Sequence, residues 1–179
     1  TIYYAKKAKY PNKQGSKYFD LYEYDLNTEQ ETRLTKDSRA FSPCFMSKDS
    51  TLIYLATHDG GQNIYRIDLK SRKTQRLTNF EDRRMLSSLA YDEEKNRILF
   101  DVTRNHFRDI AYLSLGDSTL GLVFSNGEWD ERDINISAGQ LIYSDDRSGV
   151  FNLYVIDEKT MTGGYITNVM GGAFMPAVN

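Results

Sequence analysis

Two histidines, one cysteine and one tryptophan are all that 179 residues hold of those types, and the shortage excludes several chemistries. With Cys44 alone no internal disulfide forms, and a four-ligand structural zinc site of the Cys/His kind is out of reach. In its apolar strand Cys44 reads as a buried, inert thiol. A hydrolase triad would have to draw its base from His58 or His106, and no Gly-x-Ser-x-Gly elbow occurs. There is no Gly-x-x-x-x-Gly-Lys phosphate loop, and Asp145-Asp146 lacks the alternating spacing of a calcium loop. These absences read as a non-enzyme that uses no cofactor and no metal. No apolar run approaches the 18 or so residues of a membrane-spanning helix, and no secretory signal is visible. A net charge of −2 gives no global attraction to nucleic acid, and direct membrane insertion is not expected.

What is present is order and repetition. Hydrophobic residues make up 40% of the chain and aromatics 13%, with 13 Tyr and 9 Phe, which suits a packed core and not a disordered segment. Leu52 to Thr78 reads as three strands in a row. An apolar run, Leu52-Ile53-Tyr54-Leu55-Ala56, is followed by a turn over Thr57 to Gln62 built on Asp59-Gly60-Gly61. The alternating Ile64 to Leu69 comes next, then Thr74 to Thr78. The same text returns at Ile2-Tyr3, Leu21-Tyr22 and Arg33-Leu34-Thr35, and again at Leu141-Ile142-Tyr143, Asn152 to Asp157 and Tyr165-Ile166-Thr167. A blurred copy lies at Ile98-Leu99-Phe100, Asp109 to Leu113 and Leu122-Val123-Phe124. From Leu21 to Ile64 is 43 residues, from Ile64 to Ile110 is 46, and from Ile110 to Leu153 is 43.

A further strand, Ala40-Phe41-Ser42-Pro43-Cys44-Phe45-Met46, lies between copies and is echoed at Ala173 to Val178. Four short strands within a period in the low forties is what a β-propeller blade needs. The expectation is an all-β propeller array over residues 1–179: four blades' worth of four-stranded antiparallel repeats, part of a larger propeller. The blades fall at about 1–38, 39–84, 85–129 and 130–172. Residues 173–179 would be the innermost strand of the next or closing blade, with Ile2 to Ala5 as the partner if the ring closes. Blade one lacks its first strand, and both ends predict a longer parent chain.

One position recurs with chemistry. Four residues on from the second-strand aromatic, each blade carries a base: Lys7 after Tyr3, His58 after Tyr54, Arg104 after Phe100 and Arg147 after Tyr143. They could form an arc that receives an acidic partner, or each could be a structural cation bonding loop carbonyls or stacking on a Tyr. Lys6 to Lys17 adds five lysines and no acid, either a basic arm or an elongated solvated hairpin. Asp25, Asp68 and Asp157 after the third strands, and Thr35, Thr78 and Thr167 after the fourth, read as turn chemistry. Blade three has Ser114 where the other blades have that Asp.

The phrases Phe41-Ser42-Pro43, Ser47-Lys48-Asp49, Leu52-Ile53-Tyr54, Asn63-Ile64-Tyr65, Ile67-Asp68-Leu69 and Arg76-Leu77-Thr78 resemble the TolB-type propeller repeat. Ser144 to Gly149 ahead of Phe151-Asn152-Leu153-Tyr154 is close to it too. The likeness covers essentially the whole chain. It implies a non-catalytic protein-interaction module of a bacterial envelope or secreted protein, periplasmic, envelope-bound or extracellular. Its partner would be a protein, a peptide or another domain of a longer chain. The binding face would carry the loops Ala5–Phe19, Thr57–Gln62, Thr103–Arg108 and Ser144–Phe151. The alternative the same family offers is the substrate-gating propeller of a prolyl-oligopeptidase or tricorn-like serine peptidase whose catalytic domain lies outside this chain.

Overall fold

Apolar runs that leave no polar face must be covered on both sides, and the strands that carry them lie inside their sheets. The computed structural model describes residues 1–46, 50–104, 106–124 and 128–178, in two units, Thr1–Met85 and Leu86–Asn179. The described residues contain strands and turns and no helix. The expected Ser47-Lys48-Asp49 turn lies outside them.

In the first unit β1 (Ile2–Lys7), β2 (Phe19–Asp25) and β3 (Gln30–Arg33) form a three-stranded sheet in that order. Next, β4 (Ala40–Met46), β5 (Thr51–His58), β6 (Gly61–Asp68) and β7 (Thr74–Arg76) form a four-stranded sheet, again in chain order. In the second unit β8 (Leu86–Asp92), β9 (Arg97–Arg104), β10 (Phe107–Ser114) and β11 (Leu120–Leu122) form the third sheet. The fourth consists of β12 (Glu131–Ser137), β13 (Gln140–Asp145), β14 (Asn152–Asp157) and β15 (Thr162–Tyr165). Every pairing is antiparallel between neighbours in sequence.

Burial follows the sequence pattern strand by strand. In β5 every residue from Thr51 to Ala56 is buried, and in β9 every residue from Arg97 to Val102. The outer strands β3 and β7, Gln-Glu-Thr-Arg and Thr-Gln-Arg, are exposed at every position, as suits sheet edges that must not recruit another chain. The first unit's core joins residues of both its sheets: Leu21, Ala40, Leu52, Tyr54, Ala56 and Ile67. The second unit does the same with Leu99, Ile110, Ile134, Leu141 and Tyr143. Each core is therefore a seam between sheets, and truncating Leu52 to Ala would cost about 2–5 kcal/mol.

The turns carry the chemistry read from the sequence, with tighter bounds. The Thr57–Gln62 turn contracts to Asp59 and Gly60, whose φ values of 50° and 81° make the two-residue hairpin turn that Asp-Gly favours. Asp25, Asp68 and Asp157 each accept backbone N–H groups two and three residues on, and those bonds lower all three carboxyl pKa values. In sheet three Asp117 takes over this part, accepting from Thr119 N at 3.0 Å. A bond from Ser114 is the main reason its pKa is pushed down to about 2.

The first strand of sheets two, three and four bulges at one residue, Ser42, Ser88 and Asp133, with φ of 48°, 42° and 60°. The bulge leaves Cys44 half-buried, not buried as its apolar neighbours imply. Met175, three repeats on from Ser42, has the same conformation at φ 53°, yet residues 173–178 form no strand. The expected innermost strand of a next or closing blade at 173–179 therefore has no ladder partner among the described residues, and Asn179 lies outside them. A strand needs a ladder, and this segment is tied instead by single bonds, Ala173 N to Phe151 O at 2.8 Å and Asn135 Nδ2 to Pro176 O at 3.1 Å. Among the described residues β1 likewise pairs with β2 alone.

Candidate functional site

A buried polar knot sets the loop geometry in three of the four sheets. At the start of β6, Asn63 Oδ1 accepts from Thr78 Oγ1 at 2.9 Å and Phe80 N at 2.7 Å, while Thr78 Oγ1 accepts from Ile64 N at 2.9 Å. Asn152, Thr167 and Leu153 N repeat this in sheet four. In sheet one Asp20, fully buried, accepts from Thr35 Oγ1, Arg33 Nη2, the backbone N–H groups of Asp37 and Ser38, and Ser38 Oγ, all within 3.2 Å. The threonines are thus cross-strand clasps and not simply turn residues. Their signal was available as Thr recurring 15 residues after Asp or Asn.

That knot positions Arg39. The chain leaves it with Asp37 and Arg39 both at positive φ, 55° and 52°, a conformation costing a non-glycine residue about 1–3 kcal/mol and kept only where its surroundings enforce it. Here Asp20 is the enforcing group. Arg39 then lies over the Tyr18 ring, 4.4 Å from its centroid, and Nη2 donates to Tyr18 Oη at 3.0 Å. This bond is the main reason the Tyr18 pKa is lowered.

Tyr18 itself ends an ordered loop. Asn12 Oδ1 accepts from Gln14 N and Ser16 N, and Ala8, buried, donates its N–H to Tyr18 O. The lysine-rich stretch is therefore a shaped hairpin. Lys7, the last residue of β1, stands opposite Phe19 in the register. Lys7, Lys17, Tyr18, Phe19, Arg39 and Phe41 enclose an open pocket of about 360 Å³. Three cationic and three aromatic side chains line it. No carboxylate lines it. Charge-assisted donors beside aromatic surface are the chemistry that suits an anion next to an apolar group. Arg39 and Tyr18 were not singled out from the sequence, because neither sits at a recurring position.

The four recurring bases fare differently. Lys7 is exposed at the pocket and makes no ion pair among the described residues. His58 ends β5 with its side chain 70% exposed, and its Nδ1 lies 2.8 Å from the exposed Asp59 carboxylate. It lines a separate hollow with Tyr54, Tyr65 and Lys36. In the second unit Arg104 ends β9, its Nη1 4.0 Å from Oδ2 of the buried Asp109. Arg147 lies in the loop beyond β13, where its Nε donates to both oxygens of the fully buried Asp145, at 2.9 and 2.7 Å. Its Nη2 lies 3.7 Å from buried Glu131, and its guanidinium sits over the Trp129 and Tyr154 rings. Burial is the largest single influence and works to lower the Arg147 pKa, but the bond to Asp145, the Asp145 charge and the nearby Tyr143 and Tyr165 together raise it. Arg147 thus shows the contacts of a structural cation, and Lys7 those of an available one.

Scans against protein-family models and against curated proteins give no match. Solved structures do match. TolB from Acinetobacter baumannii aligns with a TM-score of 0.73 at 20% identity, over 91% of this chain and 40% of that one. A TolB of Agrobacterium tumefaciens aligns with a TM-score of 0.73 at 17% identity, over 95% of this chain and 62% of that one. The β-propeller domain of the trilobed protease from Pyrococcus furiosus aligns with a TM-score of 0.66 at 10% identity, over 93% of this chain and 51% of that one. At such identities the likeness is one of fold. The fold is that of β-propeller proteins, with the sheets as blades, and the chain spans 40% and 62% of the two TolB chains.

Proposed function

We propose that the chain is a non-catalytic protein-interaction module of a TolB-like bacterial envelope or secreted protein, acting in the periplasm, at the envelope or outside the cell. Its partner is a protein or peptide. The observation that carries this reading is the pocket lined by Lys7, Lys17 and Arg39 with Tyr18, Phe19 and Phe41, which has no acid of its own. Arginine and aromatic residues are what interaction surfaces concentrate. Fold alone does not choose, since propellers occur both in TolB and in a protease among the structures this chain resembles.

The test compares the intact chain with a Lys7→Glu/Arg39→Glu variant as bait for envelope and cytosolic fractions of the source cells. Proteins held by the intact chain should come from the envelope fraction and be lost with the variant, while the melting temperatures agree. Retention unchanged by the variant, or turnover of peptide substrates by the purified chain, would overturn the proposal.

A further inference from the structure

The geometry points to the ligand of this pocket being an acidic segment of a partner protein, with at least two carboxylate side chains flanking an apolar one. The inference rests on the interaction reading above and names its chemistry. In the first unit Lys6 pairs with Glu31, Arg33 with Asp20, Arg72 with Glu23 and Arg84 with Asp82, while Lys36, Arg66 and Arg76 among others pair with no acid among the described residues. The chain holds 25 acidic residues against 23 Lys and Arg, so acids are not scarce. Lys7, Lys17 and Arg39 also make no ion pair among the described residues, and what sets them apart is that all three line one 360 Å³ hollow with no carboxylate in its lining.

Two further features say what the anion brings with it. Phe19 in the lining is 50% exposed, so a bare ion would leave the aromatic surface wet, whereas an apolar side chain next to the charge would cover it. Arg39 is already fixed by its bond to Tyr18 and by the Asp20 knot, so little ordering remains to be done on binding. A single terminal carboxylate would leave most of a triply charged lining unsatisfied; two side-chain carboxylates answer it better. The remaining unpaired lysines of the hairpin, Lys9 and Lys13, extend the same sign of charge beyond the pocket and would speed the approach of an acidic segment. A nucleic acid offers anions too, but its bases would need exposed stacking platforms along a basic groove, and here Arg39 already covers the Tyr18 ring.

The probe is a fluorescein-labelled, end-capped peptide with a phenylalanine between two glutamates, titrated by anisotropy into the full chain. Three controls accompany it: glutamines for the glutamates, alanine for the phenylalanine, and a single-stranded oligonucleotide of equal charge. The acidic peptide should bind, each peptide control at least tenfold weaker, and the oligonucleotide no tighter than those controls. Arg39→Gln and Lys7→Gln should each weaken the acidic peptide about tenfold and reduce its salt dependence, with unchanged melting temperatures. If Arg39→Gln disturbs folding, Lys17→Gln replaces it, since Lys17 is exposed. Equal binding of the glutamine peptide, tighter binding of the oligonucleotide, or no effect of the substitutions would overturn the inference. If the envelope partner is still captured while the acidic peptide fails to bind, the interaction reading stands and the acidic segment alone is rejected.

Discussion

Asp20 and Asp109 occupy the same point of the repeat, and only one of them has its partners. Asp20 takes a hydroxyl from Thr35 and binds four further donors around it. Fifteen residues after Asp109 the threonine is replaced by Phe124, which packs against Tyr143 with ring centroids 5.4 Å apart. Asp109 is 4% exposed, and its Oδ1 is without a hydrogen-bond partner among the described residues. What faces its other oxygen is Arg104. The third sheet has exchanged a polar clasp for an aromatic core contact, and a nearby arginine compensates the stranded acid. A base that recurs with the repeat can therefore answer to different local needs: Arg104 and Arg147 serve acids of their own unit, while Lys7 faces an open pocket.

The sharpest way to break that contrast is at Asp20. Asp20→Ala leaves Arg33, Thr35 and Ser38 without their acceptor in a buried site, and should cost about 3–5 kcal/mol in denaturant unfolding. Asp20→Asn should cost only about 1 kcal/mol, because Asn63 and Asn152 make the same clasp in sheets two and four. An equal loss for both substitutions would show that charge, not the clasp, is what Asp20 supplies.

Much of this fold was legible because blades bury both sheet faces: β5 and β9 announce themselves as unbroken apolar runs, and the repeat period follows from them. The Asx turns were legible for a similar reason, since Asp25, Asp68 and Asp157 satisfy backbone groups only two and three residues away. The clasp was harder, because Thr35 lies beyond the end of β3 and reaches back to Asp20 on β2, and the threonine alone looks like turn chemistry. Arg39 was not visible at all. Its orientation depends on a left-handed backbone imposed by Asp20 and on a tyrosine that a hairpin brings back to it. The split among Lys7, His58, Arg104 and Arg147 was equally hidden, since the acids that claim two of them, Asp109 and Asp145, sit at different offsets from the base.

A smaller effect separates Arg147 from Lys7. Arg147→Ala removes the partner of a fully buried carboxylate, but its side chain is 30% exposed and water screens part of the interaction. Asp145 also keeps the Tyr165 hydroxyl at 2.8 Å. The expected loss is about 2–3 kcal/mol, read from urea midpoints at constant slope. Lys7→Gln should change stability by less than about 0.5 kcal/mol. Similar losses at the two positions would mean that both are structural cations, and the pocket would lose its free lysine.

The smallest effect is at Asp109 itself, and its sign runs against the usual behaviour of a paired carboxylate. Burial raises the Asp109 pKa, with Asp130 adding to the rise and Arg104 only partly opposing it. An acid whose pKa is higher in the folded state favours folding when protonated. Its contribution is fully present below the unfolded value of about 3.9 and is lost as the pH climbs through the folded value. Asp109→Asn, which installs the residue that sheets two and four already use, should therefore stabilise the protein by about 1 kcal/mol at pH 7. The gain should shrink as the pH is lowered toward 4 and vanish below it. Arg104→Ala should cost about 0.5 kcal/mol in the native background, where 4.0 Å and a side chain 46% exposed leave only a screened attraction. In the Asp109→Asn background it should cost nothing. A pH-independent gain, or an Arg104 effect that survives the loss of the Asp109 charge, would show that Arg104 does not answer to that acid, and would return it to the set of bases free to meet a partner.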